Sequence, residues 1–80
     1  MLYYPQVNRL GGEDLRTWLR VFRQNRGLSE KEVAQRVGIS QTAYHYIETG
    51  ERTPTTRTAQ RIAAVLGFDW TAFFPMDKAQ

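Results

Sequence analysis

The chain has 80 residues, of which 41% are hydrophobic and 24% charged, with a net charge of +3 and a pI near 9.7. Those figures describe one small folded domain with a modest core, and they exclude a disordered chain. The absence of cysteine excludes disulfides, thiolate zinc sites and thiol catalysis together, and fits an intracellular, cytoplasmic setting. Nine of the eleven cations are arginines, which favours an anionic partner.

Met1-Leu2-Tyr3-Tyr4-Pro5 lacks the basic start and long apolar run of a secretory signal. No stretch reaches the roughly 18 apolar residues that cross a bilayer, so no membrane partner is expected. Residues 1–12 carry Pro5 and Gly11-Gly12 and no helical period, and they read as an N-terminal arm. Its apolar members Leu2, Tyr3, Tyr4, Val7 and Leu10 argue that it lies on the domain or on a second copy. Arg9 offers the alternative of reaching into a minor groove.

From Glu13 the pattern turns helical, with Leu15, Trp18, Leu19 and Phe22 on one face. Glu13 and Asp14 suit the positive end of that helix, Arg16, Arg20 and Arg23 lie mostly off the stripe, and Gly27 closes it. Ser29-Glu30-Lys31-Glu32 forms a capping box for a second helix that turns Val33, Ala34 and Val37 inward and stops at Gly38. Ser40 caps a third helix, with Tyr44 and Ile47 inward, ending at Thr49-Gly50. After the loop Glu51-Arg52-Thr53-Pro54, a fourth helix from about Thr55 carries Ala59, Ile62, Ala63 and Leu66 on one face and ends at Gly67.

Asp69 reads as the N-cap of a short fifth helix, Trp70 to Phe74, stopped by Pro75. No segment alternates with a strand-like period. The expected fold is all-α with five helices: a domain over 13–76 between the arm at 1–12 and a tail at 77–80. Trp18, Phe22 and Trp70 read as core aromatics.

Residues 30–49 meet the demands of two helices joined by a tight turn, the second protruding. Ala34 is small where two helix axes approach, Gly38 begins the turn with a positive φ, and Ile39 plugs the turn into the core. The stretches Leu19-Arg20, Arg26-Gly27-Leu28-Ser29, Val33-Ala34 and Val37-Gly38-Ile39-Ser40 combine with Tyr44 and Ile47-Glu48-Thr49-Gly50-Glu51-Arg52-Thr53-Pro54. Arg61-Ile62-Ala63-Ala64-Val65-Leu66-Gly67 with Asp69-Trp70 completes the set. Together they resemble the phage-repressor and Cro class of helix-turn-helix transcriptional regulators, the Xre class, from about Leu15 to Phe74.

The resemblance implies a sequence-specific partner, double-stranded DNA, with bases read by Gln41, Thr42 and Tyr46. Gln41 can present its amide to adenine N6 and N7, and Thr42 its hydroxyl or its methyl, the latter on thymine. Ser40, Thr49, Arg52 and Glu30 are placed at the DNA backbone, where contacts fix register. Arg23 and Glu48 are expected to form a structural ion pair between the first and third helices. The family binds as two-fold dimers on inverted repeats with half-sites about one helical turn apart. Consecutive Phe73 and Phe74 cannot both enter one small core, so this pair, beside Ala72, Pro75 and Met76, is the expected homodimer contact.

Two departures from the family pattern bear on readout. Glu30 stands where glutamine is common, and a carboxylate there repels a phosphate unless it is used in capping or selects a cytosine amino group. The third helix contains no lysine or arginine, which disfavours guanine-rich sites. His45, the single histidine, points to solvent or a phosphate rather than a metal, since no second ligand lies within helical spacing. Arg57 and Arg61 read as a solvated face of the fourth helix. No cofactor is implied, and nothing in the chain suggests an enzyme: one histidine, no carboxylate pair beside it, no phosphate-cradling glycine loop.

A repressor acting by operator occupancy is the leading expectation. The alternatives are an antitoxin, with the arm Leu2–Leu10 as the surface for a toxin, and a protein-interaction or RNA-binding module on the same scaffold.

Overall fold

The computed structural model describes residues 16–74; the arm at 1–12 with Arg9, the Glu13 helix start, Leu15, Pro75, Met76 and the tail at 77–80 lie outside them. Four α-helices follow one another: α1 Thr17–Asn25, α2 Glu30–Val37, α3 Gln41–Thr49 and α4 Thr56–Leu66. A turn of 3-10 helix, Trp70–Phe73, follows. No strand occurs among the described residues.

Local chemistry accounts for most boundaries. The Ser29 hydroxyl accepts from the Glu32 amide at 3.0 Å while the Glu32 carboxylate accepts from the Ser29 amide at 2.8 Å, a complete capping box for α2. Ser40 and Thr55 cap α3 and α4 through their hydroxyls, which accept from the Ala43 and Thr58 amides. Within the described residues α1 begins at Thr17 with no side-chain cap.

The short fifth helix expected over Trp70 to Phe74 is a single turn of 3-10 helix, Trp70–Phe73. The Asp69 carboxylate accepts from the Thr71 amide and hydroxyl, only two residues on. Backbone bonds Ala72 N–H to Asp69 O and Phe74 N–H to Thr71 O then close tight three-residue turns. Pro75 has no N–H to continue them.

Helix α2 ends on Gly38, whose φ of +90° is left-handed. A Cβ there meets nothing closer than an Arg61 guanidinium nitrogen at 3.9 Å. The requirement for glycine is therefore backbone conformation and not space. Gly38→Ala is expected to cost about 1–2 kcal/mol in thermal or urea unfolding; an unchanged midpoint would contradict the requirement.

The core is one cluster of Leu19, Val33, Val37, Tyr44, Ile47, Ala59, Ile62 and Leu66, with Ala34 allowing α2 close approach to its neighbours. α2 packs on α3 and α4, α1 on α3, and the 3-10 turn on α4. Trp18 centres an aromatic group, with Phe68 and Phe73 each 5.3 Å away and Phe22 at 6.3 Å, all edge-on.

Phe73 is thus a core residue, 5% exposed. Its ring packs beside Trp18 and Phe68, and of the consecutive pair Phe74 is the one left half-buried, as two neighbours that cannot share one small core require. Trp70 is likewise half-buried, edge-on to Phe74 at 6.0 Å, rather than inside the core.

Candidate nucleic-acid interface

On a helix advancing 100° per residue, positions 41, 42, 45, 46 and 49 fall within an arc of about 140°. Gln41, Thr42, His45 and Tyr46 are exposed on that arc, and Thr49 is half-buried at its end. Tyr44, Ile47 and Glu48 occupy the opposite side and are buried. One side of α3 is thus fixed in the core while the other presents amide, hydroxyl, imidazole and phenol groups without a formal cation.

The flanks of this face are built from backbone bonds. Ser40 Oγ accepts from the Ala43 amide at 3.0 Å, which leaves its own proton available to donate outward. Arg52 follows the positive-φ Gly50; its amide donates to Tyr46 O at 3.0 Å and its guanidinium carbon stands 6.0 Å from the Tyr46 ring centre. Arg52 is exposed beside Tyr46, so a cation stands at the margin of a face that has none of its own. Thr49 is engaged internally, its hydroxyl donating to Tyr46 O at 3.1 Å and accepting from the Glu51 amide at 3.4 Å.

Glu30 is held away from the capping box. Its two carboxylate oxygens stand 3.2 and 3.3 Å from Nδ1 of His45, across the turn on α3. This pairing joins residues 15 apart in sequence, and no sequence pattern announces it.

Behind the face, Arg23 and Glu48 form a two-pronged pair. Arg23 Nε donates to Glu48 Oε2 at 2.7 Å and a terminal nitrogen donates to Oε1 at 3.0 Å, while the other terminal nitrogen donates to Leu28 O at 2.9 Å. Tyr44 Oη donates to Glu48 Oε2 at 2.9 Å, and Arg20 Nε stands 3.9 Å from Oε1. Burial alone pushes the Glu48 carboxyl upward, but the hydrogen bonds from Arg23 and Tyr44 and the charge of Arg23 outweigh it and hold the group below its ordinary value. The hydrogen bond to Glu48 raises Arg23 in turn. Burial, then the Glu48 charge, raises the Tyr44 phenol far above its ordinary value, so it remains a donor. The i, i+4 spacing of Tyr44 and Glu48 was the available sequence signal for their bond.

Three further arginines have roles that periodicity did not reveal. Arg16 donates to Ile47 O at 2.6 Å and to Arg52 O at 2.9 Å, with its guanidinium 5.4 Å from the Phe73 ring centre. Arg26 donates to Leu66 O at 3.1 Å, at the C-terminal end of α4. Arg61, expected on a solvated face, reaches Val37 O at 3.5 Å. Each places a cation against helix-terminal carbonyls, the favourable end of the dipole.

Among the described residues no cluster of His, Asp and Glu is arranged to hold a metal ion, and no helix is long and apolar enough to cross a membrane.

Comparison with known proteins agrees with this architecture. A helix-turn-helix family model matches residues 19–73. An uncharacterized HTH-type transcriptional regulator of Bacillus subtilis (strain 168), YqaF, is 40% identical over 60 residues, covering 75% of this chain and 79% of the relative. An uncharacterized HTH-type transcriptional regulator of Methanothermobacter thermautotrophicus is 38% identical over 53 residues, covering 66% of this chain and 77% of the relative. One from Archaeoglobus fulgidus is 35% identical over 51 residues, covering 64% and 73% respectively. No solved structure gives a significant match. The chain belongs to the phage-repressor and Cro (Xre) class of helix-turn-helix proteins, a family of DNA-binding transcriptional regulators.

Proposed function

We propose that this protein represses transcription by occupying an inverted-repeat operator as a homodimer, with residues 13–76 as the DNA-binding domain. The observation that carries the proposal is the exposed, cation-free polar face of α3, with Arg52 at its margin. Gln41, Thr42 and Tyr46 read base edges in the major groove by short polar and aromatic contacts. Arg52 and the outward proton of Ser40 grip phosphates and set register. Phe74 and Trp70, half-buried near the end of the described residues, supply the apolar part of the dimer contact.

Selection from random duplexes tests the whole assignment. The wild type should return one operator with two half-sites about a helical turn apart, and its affinity should fall steeply with salt. Gln41→Ala should relax preference at one base pair by roughly 1–3 kcal/mol, whereas Arg52→Ala should weaken all duplexes alike and reduce the salt slope by about one. An unchanged selected site with Gln41→Ala would remove the base-reading role. A strict monomer in sedimentation, even with operator present, would remove the dimer.

A further inference from the structure

We infer that His45 is a fourth base-reading residue, oriented by Glu30 so that its Nε2 accepts a hydrogen bond from the exocyclic amino group of a cytosine or adenine. The inference rests on the DNA-reading role proposed for α3. It begins from an arrangement on two elements: Glu30 in the first turn of α2 places both carboxylate oxygens 3.2–3.3 Å from Nδ1 of His45 on α3. A carboxylate accepts and cannot donate, so the ring nitrogen facing it carries a proton. In the neutral imidazole the other nitrogen, Nε2, is then left as an acceptor.

Position does the rest. His45 lies one turn beyond Gln41 on the same row of α3 and directly beside Tyr46, ring centres 5.7 Å apart. Its side chain is 51% exposed while that of Glu30 is 24% exposed, so the imidazole is the outer partner and the carboxylate the inner one. In the major groove the hydrogen-bond donors on base edges are the amino groups of cytosine N4 and adenine N6, and an outward acceptor selects between these and the acceptor edges of guanine and thymine.

The competing occupant is a phosphate, and charge argues against it. A neutral imidazole backed by a carboxylate carries a net negative charge, and a protonated one is merely neutralised; neither attracts a phosphate as a free cation does. As the inner partner holding Nδ1 of His45, Glu30 is a positioning residue.

The experiment uses the full chain and begins with the ring itself. Since His45 is the single histidine, nitrogen-15 NMR of its imidazole reports the tautomer without ambiguity. The Nδ1–H form should dominate in the wild type and in Glu30→Gln, whose side-chain carbonyl still accepts, and should give way to a mixture in Glu30→Ala. Selection on random duplexes then follows with wild type, His45→Ala, Glu30→Ala and Glu30→Gln, each confirmed folded by melting.

One base pair of the operator, with cytosine or adenine toward His45, should lose about five- to tenfold of its discrimination in His45→Ala. Glu30→Ala should relax the same pair, and Glu30→Gln should restore it. The assignment is overturned if His45→Ala keeps every preference, if it weakens all duplexes equally as a phosphate contact does, or if that pair presents guanine or thymine. A wild type with no preferred duplex would overturn the regulator role itself, a failure distinct from that of His45 alone.

Discussion

Glu48→Ala should lower the unfolding free energy by about 3–5 kcal/mol, the cost of leaving the partners of a buried ion pair without their carboxylate. Glu48 is 2% exposed and receives both prongs of Arg23 and the hydroxyl of Tyr44. Removing it leaves a largely buried guanidinium and a buried phenol without their shared acceptor. For a domain of this size the melting midpoint should fall by at least ~12 °C. Tyr44→Phe removes a single donor to a charged acceptor and should cost less, about 1.5–3 kcal/mol.

The pH dependence of the wild type follows from the same network. The folded-state Glu48 carboxyl lies below its ordinary value of 4.5, so ionised Glu48 favours the native state. Its contribution is complete above that unfolded-state value and is withdrawn as pH falls below it, through the lower folded-state value. Stability should therefore decline below about pH 4.5, and Glu48→Gln should show a shallower decline because the titrating group is gone. Calorimetry of wild type and both Glu48 variants decides the matter; a Glu48→Ala protein that melts with the wild type would show that the pair contributes nothing.

The parts of this fold legible in the sequence are those whose causes are local. Ser29 and Glu32, three residues apart, cap one another within a single turn, and the positive φ at Gly38, Gly50 and Gly67 marks the ends of α2, α3 and α4. The exposed face of α3 follows as directly, because burial of Tyr44 and Ile47 turns positions 41, 42 and 46 outward by helical geometry alone. What was not legible depends on partners without a chemical signature. Arg16 bonds to backbone carbonyls 31 and 36 residues away, and every residue type carries a carbonyl. Nor does spacing tell which of two consecutive phenylalanines turns inward; that depends on the short 3-10 turn, which points Phe73 at Trp18. The Glu30–His45 contact was not legible for a related reason: the partner lies on the next helix, past a turn whose angle periodicity does not specify.

Arg16→Met should cost about 2–3 kcal/mol and weaken binding to every duplex, although Arg16 is distant in sequence from α3. Its guanidinium satisfies Ile47 O, in the last turn of α3, and Arg52 O, in the loop that follows. The same group covers the ring of buried Phe73 at 5.4 Å. One cation thus pins the C-terminal end of α3, the loop bearing Arg52 and the 3-10 turn to a common point. Methionine retains the apolar stem but leaves a partly buried carbonyl without its charged donor, which sets the expected loss. Lysine reaches one carbonyl but lacks the planar fork for both, so Arg16→Lys should recover only part of the stability.

Binding separates a simple staple from a positioning role. Measured at a temperature where Arg16→Met is fully folded, affinity should fall alike on operator and scrambled duplexes, with a shallower salt slope as Arg52 loses its fixed backbone. Preferences set by Gln41 and Thr42 should persist, because these residues stand at the other end of α3. Unfolding within 0.5 kcal/mol of wild type, about the scatter of ordinary surface substitutions, would show that these hydrogen bonds are dispensable. Lost stability with unchanged affinity and salt slope would confine Arg16 to the core and leave Arg52 to hold its place through its own bond to Tyr46 O.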